Sequence, residues 1–167
     1  GYDVDIVSGY FEQTNENEIF GISGYLFSEQ ERNQRHKSFG PSLRHIDLPY
    51  VMSALADLRE AIRMPVETGF FARRAIESVM QAFKEDSNAK DDEAAWESMR
   101  TNLNLDKSWL LKLKPVADDR RHGKPTMISW EQRLDAMKRA WLVLDRYFEY
   151  LNRSKNPLPK SEFPVLQ

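Results

Sequence analysis

No cysteine occurs anywhere in the 167 residues. That removes disulfide frameworks, thiolate metal sites and thiol nucleophiles together, and suits a reducing, cytoplasmic setting. Long apolar runs are also missing, so no membrane-spanning helix is expected, and Gly1-Tyr2-Asp3 does not open a signal peptide. An excess of either charge is lacking too, since 24 Lys and Arg stand against 26 Asp and Glu. Any contact with phosphate must then come from a local patch, because the whole molecule cannot steer a polyanion. The familiar short motifs are absent: there is no GxxxxGK[ST] loop, no GxGxxG after a strand, no HExxH, no GxSxG and no calcium loop. His36, His45 and His122, the only histidines, share neither a helical face nor a ligand spacing, so neither a metal nor a small-molecule cofactor is expected. The chain opens on Gly1 without an initiator methionine, compatible with a segment of a longer protein.

What is present is the composition of a globular domain, 41% hydrophobic and 30% charged, long enough to bury its own core. The expected class is mainly α (α+β): an antiparallel bundle of four to five helices with an N-terminal β-hairpin. Residues 1–27 read as that hairpin, because Tyr2, Val4 and Ile6, then Phe20, Ile22, Gly24 and Leu26, alternate at the period of a strand around an Asn-rich turn. Residues 28–48 read as a polar loop with a basic character, carrying Arg35 and Lys37. Residues 153–167, with three prolines and no periodicity, read as an extended tail whose Phe163, Val165 and Leu166 are free to pack on the body or on a partner.

Between these lie the helices of residues 49–152. Asp47 is the expected N-cap of the first, with Met52, Leu55, Leu58 and Ile62 as its buried stripe and Pro65 as its stop. The second, from Gly69 to about Glu85, sets Ala72, Ala75, Ile76, Val79 and Phe83 opposite an arc of Arg73, Arg74, Glu77, Gln81 and Lys84. Asp91 or Asp92 caps a third, with Trp96, Met99 and Leu103 inward, and Asp106 opens a fourth that Pro115 kinks or ends. Ser129 and Gln132 form a capping box for the last, where Trp130, Leu134, Met137, Trp141, Leu144, Phe148 and Leu151 follow at alternating spacings of four and three.

One stretch concentrates ionisable groups: Asp118-Asp119-Arg120-Arg121-His122-Gly123. Its structural reading is a helix end, with Gly123 taking the left-handed turn and Arg and His meeting the negative end of the macrodipole. Its functional reading is RNA hydrolysis without a metal, which needs a proton acceptor and donor near neutral pH and a guanidinium fork on the phosphate. Arg73 and Arg74 would widen such a groove if their arc faces the same corner; alternatively Arg73 pairs with Glu77 one turn on, as on a solvated face.

The order of "FFARRAIESVMQAF", Trp96, "LLKLKPVADDRRHGKP" and "ISWEQRLDAMKRAWLVLDRYFEYL" resembles the HEPN superfamily of small helical bundles over about residues 49–152. The resemblance implies an antiparallel bundle, frequent homodimers with a cleft at the two-fold, and in many members metal-independent endoribonuclease activity in defence, toxin or RNA-processing roles. Other members are non-catalytic binding partners. Carried over by residue, it implies His122 as general base or acid and Arg120 or Arg121 as phosphate clamp; Arg73 and Arg74 on their helical arc, and Arg35 and Lys37 in the basic loop outside the resemblance, are the other candidate nucleic-acid contacts. The family's arginine precedes its histidine by four to six intervening residues, whereas Arg121 and His122 are adjacent here. An interaction module or a structural domain of a larger protein is the other expectation.

Overall fold

The computed structural model describes residue 30, residues 41–121 and residues 128–167, with the side chains of 118–121 outside the description. The hairpin expected over 1–27 and the basic loop positions Arg35 and Lys37 lie outside the described residues, as does His122. Within them the molecule is a helical bundle. Its helices are α1 (Pro49–Arg63), α2 (Thr68–Asp86), α3 (Asp92–Leu103), α4 (Lys107–Leu111), α5 (Lys114–Arg121) and α6 (Trp130–Asn152). Among the described residues no helix is long and apolar enough to cross a membrane.

Local sequence sets most helix ends. Asp91 accepts the amide of Ala94 at the start of α3, and Asp106 accepts those of Ser108 and Trp109 at the start of α4. At α6 the capping box forms in full, Gln132 N–H donating to Ser129 Oγ and Ser129 N–H to the Gln132 side chain. Pro115 falls in the first turn of α5, where its missing N–H costs nothing, and the segment expected to kink or end there is two short helices joined at Lys112 and Leu113. The expected cap of α1 is corrected: the N-cap is Leu48, with extended backbone and no side-chain bond, and Pro49 opens the helix without any help from Asp47. Residues 43–45, read from sequence as part of the loop, make one turn of 3-10 helix.

α2 is the spine, packing against α1, α3, α5 and α6. Tyr50 at the start of α1 bonds Glu85 near the end of α2, and Thr68 at the start of α2 donates to the Ala61 carbonyl near the end of α1. These two helices are therefore antiparallel. α2 and α6 run parallel instead, since Thr68 meets Arg133 and Phe83 meets Tyr147 and Tyr150. A parallel pair needs a crossover, and α3 to α5 supply it.

The expected inward face of α2 is the observed one, with Ala72, Ala75, Ile76, Val79 and Phe83 all buried. The stripe expected on α1 holds except at Met52. Val51, Ala54, Leu58 and Ala61 are in the core, Leu55 and Ile62 are half-buried, and Met52 is 57% exposed. Small residues let α1 and α2 approach closely, and Met52 falls outside that contact. In α6 the expected seam is buried at Met137, Leu144, Phe148 and Leu151, but Trp130 at its start is exposed.

The last 15 residues are docked, not merely extended. Leu166 bridges Leu105 in parallel, and the Leu166 N–H donates to the Asn104 carbonyl at 3.0 Å while Asp106 N–H donates to Leu166 O at 3.0 Å. Leu158 is buried, Phe163 packs against the core, and Val165 remains exposed.

Candidate functional site

Two described contacts meet at the N-terminal end of α2. Gly69 sits where α5 crosses it: a Cβ there would lie 2.6 Å from the Val116 carbonyl oxygen, so only glycine admits the contact. Two residues beyond Val116 begins the Asp-Asp-Arg-Arg run, and the α5 backbone stays helical through Arg121. At the same α2 end, Arg133 reaches across from the first turns of α6. Its Nε donates to Thr68 Oγ1 at 3.0 Å and its Nη2 to the Ile62 carbonyl at 2.8 Å, while its guanidinium carbon lies 5.4 Å from the Trp130 ring. All three partners are neutral, and burial lowers the pKa of this guanidinium from its ordinary value.

Sequence reasoning passed over Arg133. The available signal was its position, because a cation in the first turns of a helix opposes the positive end of the macrodipole and so asks for another reason to be there. Thr68 explains part of it. The hydroxyl that accepts from Arg133 also reaches the carbonyls of Ala61 at 2.8 Å and Pro65 at 3.0 Å, closing the α1–α2 turn.

The arginines that were singled out on α2 have carboxylate partners. Arg73 Nε donates to Glu77 at 2.9 Å, the i+4 pairing weighed as the plain alternative, and its guanidinium stacks 5.4 Å from Trp96. Arg74 pairs with Asp57 at 3.3 Å and lies over the rings of Phe70 and Phe71. Asp57 is buried on the α1 face, and desolvation raises its pKa despite the opposing pull of Arg74. Both guanidiniums thus face a negative charge of the protein's own, and a phosphate arriving there would have to displace a carboxylate. His45 lies elsewhere, at the far end of α6: its Nε2 is 3.1 Å from Asn152 Oδ1, and Arg44 Nη2 donates to the same oxygen at 3.0 Å.

The arrangement brings to the α2 terminus a half-buried cation whose partners among the described residues are neutral, and the helix that leads into the Arg-Arg-His run. Among the described residues, no three His, Asp or Glu side chains come together in a way that could hold a metal ion.

Residues 42–152 match the DUF8168 C-terminal domain, described as a domain of unknown function. The chain belongs to this family. The match takes in α1 to α6, so the helices form the body of the DUF8168 C-terminal domain and the docked tail follows it. No curated protein and no solved structure matches the chain. The family description carries no activity, and the HEPN resemblance rests on the sequence features alone.

Proposed function

We propose that this DUF8168 C-terminal domain is an RNA-acting helical domain of the HEPN kind, a metal-independent endoribonuclease of a defence or toxin–antitoxin type system working as a homodimer. In this reading His122 transfers the proton, Arg120 or Arg121 holds the phosphate, and Arg133 adds a cation from the opposite helix. The observation that carries it is the meeting of α5 and α6 at the start of α2. There Val116 seats the helix leading to the Arg-Arg-His run, and Arg133 donates to a hydroxyl and a carbonyl, with no carboxylate partner among the described side chains. An imidazole near its ordinary pKa of about 6.5 suits proton transfer at neutral pH.

The test is incubation of the full chain with a mixed RNA in EDTA. Cleavage that disappears in His122→Ala, with the circular dichroism spectrum unchanged, is the expected result. Binding without cleavage, weakening as salt rises, would reduce the reading to a phosphate-binding groove. Absence of both overturns it. A second reading, a non-catalytic interaction module, is favoured by one observation: Arg73 and Arg74 are already neutralised by Glu77 and Asp57.

A further inference from the structure

Large apolar side chains stand outward where the chain enters α1, away from the face the bundle uses. Val51, Ala54, Leu58 and Ala61 face the core, while Leu48 and Met52, four residues apart, stand outward at 39% and 57% exposure. Leu43 and Ile46, on the turn that leads into the helix, are 49% and 38% exposed. Four large apolar side chains within ten residues of chain are more than the scattered exposure any surface tolerates, and such a patch marks a contact surface.

We propose that this apolar surface at the entry to α1 is covered by the chain's own N-terminal segment, residues 2–27. Three observations select that occupant. Forty residues precede Pro41, and the described chain resumes two positions before Leu43, at the edge of this surface. A tethered segment meets such a surface at an effective concentration on the order of millimolar, ahead of any free partner of equal intrinsic affinity. The polar connector 28–40, 13 residues, reaches at most about 45 Å, ample for a surface beside its own end.

The segment also has the right chemistry. It carries Tyr2, Val4, Ile6, Phe20, Ile22 and Leu26 for an apolar contact, and its charges are all acidic: Asp3, Asp5, Glu12, Glu16 and Glu18, with no Lys or Arg. The surface has a cation at each end, with Asp47 between Ile46 and Leu48 the acidic group within it. Arg44 lies beside Leu43, and Arg59, seven residues past Met52 and so on the same side of α1, keeps 69% of its side chain exposed while sharing Glu60 at 3.1 Å.

Hydrogen exchange on the full chain tests the idea. In the wild type, amides within 2–27 should be protected. Met52→Glu, which changes a surface side chain, should speed their exchange at least tenfold with the molar mass from light scattering unchanged. Val4→Glu combined with Ile22→Glu, which leaves the bundle sequence untouched, should do the same and decides the matter if Met52→Glu alters the circular dichroism spectrum. A wild-type segment without protection overturns the proposal, as does protection that survives these substitutions. A fall in mass on Met52→Glu with protection intact assigns the surface to a second copy and overturns it equally.

Discussion

At the scale of single residues, three arginines show that the same side chain has different meanings in different surroundings. Arg73 is half of an ordinary i+4 pair. Arg133 joins three helical segments through neutral acceptors. Arg146 is buried and donates to the carbonyls of Leu103 and Asn104, each at 2.8 Å, and to that of Pro164 at 2.5 Å, with burial lowering its pKa to about 10. Those first two acceptors are at the negative end of α3, which stabilises the cation in place of a carboxylate. Asp57 is the residue whose burial has a measurable pH signature. Its folded pKa is raised above the ordinary 3.8, so the folded state holds this proton more tightly than the unfolded chain does. Stability contributed by Asp57 is complete below 3.8 and is lost as pH rises to the raised value, above which it stays constant. Asp57→Asn removes that titration. Urea unfolding of both proteins across this range should show the wild type losing stability relative to the variant as pH increases; a difference that does not move with pH contradicts the burial argument.

Helix by helix, what could be read in advance was whatever a few adjacent residues decide. Asp91, Asp106 and the Ser129–Gln132 box are local chemistry, each satisfying amides within one turn, and they sit where the sequence put them. On α1 the outward place of Met52 was not legible, because hydropathy weights Met52 above Ala54 whereas close helix packing prefers the smaller residue. Nor was the α2–α5 crossing, which depends on the missing side chain of Gly69. Gly69→Ala should destabilise the domain by about 2 kcal/mol, the usual cost of forcing a group into packed space. The Val116 carbonyl is backbone and cannot swing aside. Equilibrium denaturation measures this directly, and a neutral Gly69→Ala would mean that α5 shifts freely on α2.

For the whole molecule, the main departure from expectation is the C-terminal tail. Three prolines and no periodicity describe a segment without its own secondary structure, and that description holds. It does not reveal that Leu158 fills a core position, that its amide donates to the Asn102 carbonyl at 2.9 Å, or that Asn104 Nδ2 holds the Leu158 and Phe163 carbonyls at 2.7 and 3.0 Å. Asn104 can do so because it ends α3 in the left-handed conformation, φ 54°, which asparagine tolerates better than most residues. The tail is thus part of the domain's core. Leu158→Ala should lower global stability by about 3 kcal/mol, as for other buried leucines, and the bundle and tail should still unfold in one transition. A variant as stable as the wild type, or a separate early transition of the tail, would show that it only rests on the surface.

By itself, the sequence determined that the chain is mainly helical, where four helices begin, and which face of α2 turns inward. Each of these follows from hydrogen bonds or apolar spacing within a few turns. Only the tertiary structure decided that α2 and α6 run parallel, that Arg74 answers to Asp57, that Arg133 bridges the start of α2, and that the tail closes over α3. The physical reason is distance along the chain: those contacts join residues tens of positions apart, and whether a charge meets a carboxylate, a carbonyl or solvent is set by the packing that brings them together.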